Sequence, residues 1–524
     1  MMYVRWYYSN LLVGALSTKP KRLNTLSRIT MKGISWGVSI RLFSKAISVF
    51  VSYILLAHFM SPQAVGIILV FNGYLTLTMK MSSLGIDYVF TRFGIEFIVK
   101  KKYGELRYLF DMLIRYSIGG LLFGCALFIF LDYFTNWIVP LKYIFMVIII
   151  IISKILIRVC SLVTRVHMNL DKSQIIDNTI FIATSIGTIF GTILRSLDII
   201  FLLWALIHMI YLIVVLISTW KYIVNILNLK SSMINSKAKK NFLSLIMPLM
   251  LVSFFFPLNI RIDSFFISLL IPTGFVAIYM LASRIGLSIA DSLRPISVVL
   301  FSSLTHTYSR NKRIFVKSFG ITIRLIFMMF LSLLIALIPI SSIILEVFFG
   351  EYYAIGDILL PIYIVIGLLE IIASILSSIS IVIQRVYKYI LALVIAFFVR
   401  VFLFLLVMRF HTNNYATCLA LATIIFVSHI VLVSLLMIFF RDFISNDFPR
   451  IARMIMLSSI LLTIYFIINI NNILMKFVIA TILPIVYIIL VSISKCITTL
   501  DINILEKAIS RRIFFLAILK KVLR

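Results

Sequence analysis

The sequence predicts an all-α polytopic membrane protein of about fourteen transmembrane helices, arranged as two pseudo-symmetric six-helix bundles plus two C-terminal helices, with both termini cytoplasmic. Three observations carry that prediction. Of the 524 residues, 62% are hydrophobic and 13% charged, and the mean hydropathy is +1.15, far from the balance of a soluble domain. Fourteen apolar runs reach the roughly 20 residues a helix needs to cross the hydrocarbon core. Basic residues alternate with those runs: loops assigned to the cytoplasm hold 34 of the 49 Lys and Arg, whereas the outer loops hold only Lys142, Arg195, Arg409 and Lys476.

In chain order the spans fall at 34–57, 64–84, 112–130, 143–163, 175–194, 199–217, 245–270, 275–294, 321–345, 358–383, 389–408, 414–438, 454–470 and 477–494. Residues 1–33 form a cytoplasmic segment. Its apolar patch, Leu11 to Leu16, precedes the basic cluster Lys19, Lys21 and Arg22, the reverse of a cleavable signal. Met31, just ahead of the first span, is a candidate start. Spans 1–6 make an N-terminal bundle over 34–217. A basic cytoplasmic linker over 218–244, with Lys230, Lys237, Lys239 and Lys240, leads to the C-terminal bundle of spans 7–12 over 245–438. Spans 13–14 occupy 454–494. The tail over 500–524 interleaves Ile502, Leu505, Ile509 and Ile513 with Lys507, Arg511 and Arg512, the pattern of an amphipathic helix on an anionic inner leaflet.

The halves share a plan. Ser61-Pro-Gln-Ala-Val-Gly-Ile overlays Pro272-Thr-Gly-Phe-Val-Ala-Ile at an offset of 211, and in both halves the first, second and fourth spans carry deep charges. Within a span those charges recur at helical spacing, as in Arg41, Lys45, Ser48 and Ser52, or Lys154, Arg158, Ser161 and Arg165, so each helix offers one polar face to a common interior. Gly120 and Gly124 in span 3, and Gly187 and Gly191 in span 5, suit close helix packing instead. Internal duplication around a polar interior is the architecture of alternating-access transporters.

A charge facing hydrocarbon at a helix centre costs roughly 2.5–3.5 kcal/mol on insertion scales, so these groups require a shielded cavity. Its cations are Arg41, Lys45, Lys80, Lys154, Arg158, Arg261, Arg284, Arg294 and Arg400, and its anions are Asp87, Asp263, Asp291 and Glu370. The excess of cations favours an anionic ligand, which makes Arg41, Lys45, Lys80, Lys154, Arg158, Arg261, Arg284 and Arg400 candidate binding residues. Asp87, Asp263, Asp291 and Glu370 are candidates for ion coupling. Blander roles stay open for several. Lys80 and Arg158 lie near the cytoplasmic boundary and can snorkel. Arg261 with Asp263, and Arg284 with Asp291, can be interhelical ion pairs, and Glu370 can pair with Arg400. Arg41 and Lys45, one turn apart with no acid in their span, repel each other until an anion arrives.

The net charge of +31 is spread over membrane-flanking loops, which argues against nucleic-acid binding. The solitary Cys125, Cys160, Cys418 and Cys496 and the six scattered histidines lack metal-ligand spacing, so no metal or cofactor is expected.

Lys32-Gly-Ile-Ser-Trp-Gly, Ala57-His-Phe-Met-Ser-Pro-Gln-Ala-Val-Gly and Leu84-Gly-Ile-Asp-Tyr-Val-Phe-Thr-Arg resemble the Wzx-type polysaccharide-unit flippases. Those belong to the multidrug/oligosaccharidyl-lipid/polysaccharide exporter superfamily. The local pattern covers about 60 residues. It departs from the family at His58, where many relatives carry a basic residue, and in having fourteen spans where many have twelve. The resemblance implies translocation of an undecaprenyl-pyrophosphate-linked oligosaccharide across a bacterial inner membrane, for O-antigen, capsule or exopolysaccharide, with no catalysis by the chain. A polysaccharide polymerase and chain-length proteins are the implied partners. Two alternatives remain. A multidrug or cation exporter of the related branch would suit an acidic lumen. A membrane O-antigen polymerase or glycosyltransferase would need outer-face acids, of which Glu346, Glu351 and Asp357 are the candidates.

Overall fold

The structure, a computed structural model, describes residues 43–44, 46–167, 169–229, 236–288, 312–383, 385–409, 413–444, 447–468 and 472–497. All regular structure among them is helical. The chain divides into two compact units, Met1–Phe265 and Phe266–Arg524. Among the described residues eleven helices are long and apolar enough to cross a membrane, or twelve if a pair broken at Ile262 counts as one span, so this is a multi-pass membrane protein. The expected spans 34–57 and 275–294 run into residues outside those described, as does the expected amphipathic tail.

In the first unit, a π-helical turn (Ala46–Val51) leads into α1 (Ser52–Phe59). Helix α2 (Pro62–Met81) starts where Ser61 accepts a hydrogen bond from the Ala64 amide and Pro62 takes the first helical position, which answers one free amide and removes another. It stops where Leu84 and Gly85 both turn left-handed (φ 47° and 73°). A β-carbon on Gly85 would also meet the backbone of Leu249 at 2.7–2.8 Å, so glycine is required there twice over.

Next comes α3 (Ile86–Val99), in a stretch expected to be cytoplasmic loop. Hydropathy passes over it because only one face is apolar. Ile86, Val89, Phe90, Phe97 and Ile98 follow helical spacing and bury against Leu109 and Leu113 of α4 (Tyr103–Phe134) and Val159 and Val163 of α5 (Ile144–Val166).

The first unit continues with α6 (Leu170–Ile193), α7 (Leu197–Leu227) and α8 (Ser236–Arg261). Helix α5 is its axis, packing against α2, α3, α4, α6 and α7. At the Tyr143 end an aromatic cluster closes the bundle: Tyr143 stacks on Phe201 at 4.3 Å, and Phe71 lies 5.0 Å from Phe201 and 5.3 Å from Trp204. The segment expected as a linker over 218–244 is helical through Leu227 and again from Ser236.

Helix α9 (Asp263–Leu270) precedes α10 (Thr273–Ser288), which begins as the Phe275 and Val276 amides donate to the Pro272 carbonyl. The two loops aligned in the sequence thus both open helices. The second unit then holds α11 (Lys312–Leu337), α12 (Ser341–Phe349), α13 (Glu351–Ala354), α14 (Leu359–Val382), α15 (Val386–Arg409), α16 (Asn414–Phe439), α17 (Arg441–Ile444), α18 (Phe448–Ile468) and α19 (Ile473–Ile493). Helix α16 packs on α14 and α15, and α18 and α19 pack on α11. Arg324 of α11 forms a buried ion pair with Asp447, just before α18, and Arg450 lies 3.7 Å from the same carboxylate. Gly320 leaves room for that carboxylate, which a β-carbon would strike. Exposed large side chains such as Leu122, Ile210, Ile217, Phe402 and Ile467 cover the outer faces, as lipid contact requires.

The small-residue expectation for α4 is met at Gly120, where a β-carbon would fall on the Ser82 carbonyl oxygen; Gly119, one position along, has nothing within 4 Å. Gly120→Ala is expected to destabilise the protein by about 1–3 kcal/mol through overpacking. It should lower the thermal unfolding temperature in detergent, while Gly119→Ala leaves it unchanged.

Candidate functional site

Lys154, Arg158, Ser161 and Arg165 lie at helical spacing along α5, and the structure answers each cation differently. Arg165 reaches α6. Its Nη2 donates to Asp177 Oδ2 at 2.8 Å and its Nε to Ser173 Oγ at 3.3 Å, while the Ser173 and Ser161 hydroxyls share a hydrogen bond of 3.0 Å.

Arg158 serves the break between α2 and α3. At the end of α2 the Ser83 amide donates to Lys80 O in place of Met79 O, which leaves the Met79 carbonyl short of its helical partner. Ser82 Oγ at 2.9 Å and Arg158 Nη1 at 3.2 Å donate to it instead. On the other side of the break, Asp87 sits in the first turn of α3, with Oδ1 3.7 Å from Arg158 Nε. A cation at a helix C-terminus and an anion at a helix N-terminus both match the helix dipole. Of the roles left open by the sequence, the geometry of Arg158 and Asp87 fits a structural clamp.

Lys154 differs. Among the described residues it makes no ion pair, and no hydrogen bond to it is found. Along the packed pair α5 and α7 it lies between the Tyr143–Phe201 stack and the buried cluster shared by Ile157 and Val215, as does another base, His208 of α7. His208 is 2% exposed. Its Nδ1 lies 2.7 Å from the Trp204 carbonyl, and its Nε2 is buried with no hydrogen-bond partner among the described residues. Trp204 is fixed in turn, its indole N–H donating to Thr188 Oγ1 at 3.0 Å and Thr184 O at 3.1 Å.

The remaining expected residues are placed as follows. Lys80 of α2 lies over the Phe256 ring of α8 at 5.7 Å. Arg261 ends α8 half-buried, its Nε buried without a hydrogen-bond partner among the described residues, and Asp263, which opens α9, is buried. Arg284 is half-buried in α10. Glu370 of α14 and Arg400 of α15 are both buried. Arg400 donates to Ser428 Oγ through Nε (2.9 Å) and Nη2 (2.6 Å), and Nη2 also lies 3.0 Å from His429 Nδ1. Arg41, Lys45, Asp291 and Arg294 lie outside the described residues.

Asp177, Ser173 and His208 are additions that the sequence did not single out. Asp177 belongs to a helix read for its glycines, and its partner Arg165 lies beyond the intervening turn. His208 had no neighbour in sequence to mark it.

The Arg158 clamp sets up a stability test. Arg158→Met removes one of the two donors to the Met79 carbonyl and the cation paired with Asp87, and should cost about 1.5–3 kcal/mol. Adding Asp87→Leu should recover part of that loss, since removing both partners of a charge pair is milder than removing one. Thermal unfolding of the two single variants and the double variant checks this.

No protein-family model matches the chain, and no curated protein does. Solved structures do. The lipid II flippase MurJ, in an inward-closed conformation, superposes with a TM-score of 0.65 at 16% identity, over 90% of this chain and 99% of that one. An inward-facing multidrug resistance MATE family transporter of the MOP superfamily gives 0.58 at 11% identity, over 78% and 98%. A MOP superfamily transporter from Pyrococcus furiosus gives 0.55 at 11% identity, over 79% and 96%. At such identities the likeness is one of fold, and the fold of this chain is that of the MOP-superfamily transporters.

Proposed function

We propose that this protein is a flippase that carries polyprenyl-pyrophosphate-linked oligosaccharide units across the bacterial inner membrane by alternating access. The carrying observation is Lys154. It is a cation on the axis of the first unit, without a carboxylate partner among the described residues. An unanswered charge in an apolar surround is costly, and an incoming pyrophosphate offsets that cost. The excess of deep cations along the sequence supports the same sign of ligand. In this reading Arg41, Lys45, Lys80, Lys154, Arg261, Arg284 and Arg400 attract and hold the headgroup, and Arg158 keeps the helix break in shape beside it. The sugars travel in a hydrated interior while the polyprenyl chain stays in lipid.

Asp87, Asp263, Asp291 and Glu370 are the candidates for ion coupling, Glu370 first because it is the only acid in its span. Anionic lipids meet the basic inner loops, and a polymerase with chain-length proteins would take the delivered units.

Two measurements test the reading. Lys154→Ala, and separately Arg41→Ala with Lys45→Ala, should abolish surface-polysaccharide production while the protein remains in the membrane; full production in both strains would contradict it. Glu370→Gln should weaken transport and reduce its dependence on the proton gradient, whereas unchanged dependence reassigns Glu370 to structure.

The likeness to the multidrug transporter favours a second reading, export of a cationic compound. It assigns the binding role to Asp87 and Glu370 and expects Lys154→Ala to be harmless.

A further inference from the structure

Lys154 of α5 and His208 of α7 lie on the same stretch of the packed pair α5 and α7, between the Tyr143–Phe201 stack and the buried cluster that Ile157 and Val215 share, and each has unused hydrogen-bonding capacity. The ammonium has three donors and no acceptor among the described residues. On His208 the roles follow from its neighbour. A carbonyl only accepts, so the contact of 2.7 Å to Trp204 O places the ring proton on Nδ1. The neutral imidazole therefore presents Nε2 as a lone pair, buried and without a donor among the described residues. The ring has little freedom to turn away, because α7 is held at this level by the Trp204 bonds to Thr188 and Thr184 and by the stacking of Trp204 on Phe71. A cation in need of an acceptor thus shares this stretch of the helix pair with an acceptor in need of a donor, and the two do not bond to each other.

A ligand that answers both must accept from the ammonium and donate to the imidazole. We propose that Lys154 and His208 form a subsite for a hydroxyl-bearing anion: the ammonium donates to a phosphate oxygen of the ligand, and a hydroxyl of that ligand donates to His208 Nε2. This rests on the flippase reading and deepens it, since a sugar-linked pyrophosphate carries both groups within a few bonds. Two sources of the hydroxyl share this chemistry, the first sugar ring and a terminal P–OH. A pyrophosphate capped by sugar and lipid has no P–OH near neutral pH, so the sources can be told apart. His208 sets specificity for the hydroxyl, and Lys154 supplies attraction for the charge.

The test uses the full-length protein in nanodiscs and three probes: farnesyl-pyrophosphoryl N-acetylglucosamine, farnesyl pyrophosphate and inorganic pyrophosphate. His208→Phe keeps the ring and removes the acceptor, and His208→Gln returns an amide oxygen near the position of Nε2. If the hydroxyl is the sugar's, His208→Phe weakens the sugar-bearing probe about tenfold, the equivalent of roughly 1.4 kcal/mol, and leaves the other two unchanged. If it is the phosphate's, only the two uncapped probes weaken. His208→Gln restores affinity in either case. The inference is overturned if wild-type protein binds the probes and both variants bind them equally well. It is also overturned if His208→Phe and His208→Gln lose affinity alike, which assigns the ring to packing. Absence of wild-type binding to all three probes, or binding indifferent to Lys154→Ala, overturns the flippase reading itself.

Discussion

A charge held among apolar helices must be answered by a countercharge, a dipole or water, and the three cations of α5 divide the first unit according to how each is answered. Arg165 has a carboxylate and two hydroxyls around it. Arg158 has a carbonyl freed by a helix break and a carboxylate that begins the next helix. Lys154 has neither. Two of the three thereby hold α2, α3 and α6 to the axial helix, and the third is the one to which the proposed function gives the ligand. The same sequence motif, a basic residue on one face of one helix, serves packing at two of its turns and, in the proposed function, binding at another.

The break between α2 and α3 is where these roles meet. Backbone approaches it from two sides, α4 at Gly120 and α8 opposite Gly85, and neither approach tolerates a β-carbon. Arg158 comes in from α5 to complete the shell. A carbonyl freed at a buried helix end needs donors from outside the helix, and Ser82 and Arg158 supply them to Met79. Arg158 meets the break one helical turn from Lys154 on the same helix.

Much of this fold is legible in the sequence, because spans are set by hydrophobic length. Helix α3 is not, since its apolar face is half a helix wide and averages out in a hydropathy window, although its spacing of Ile86, Val89, Phe90 and Phe97 is visible once sought. The deep charges are legible as a set. Their individual roles are not, because each depends on a partner from another helix: Asp177 for Arg165, a bare carbonyl for Arg158, and Ser428 and His429 for Arg400. His208 is the extreme case. A lone histidine in an apolar run carries no pattern, and only packing of α7 on α5 brings it beside Lys154.

The central claim is the sign of the interior: a cationic cavity for an anionic headgroup. Equilibrium binding of a pyrophosphate-linked lipid and of a lipophilic cation to the purified protein in nanodiscs, each measured across a range of salt concentrations, tests it most directly. The account predicts saturable binding of the pyrophosphate lipid that weakens as salt rises, and no saturable binding of the cation. Saturable binding of the cation with none of the pyrophosphate lipid would contradict it.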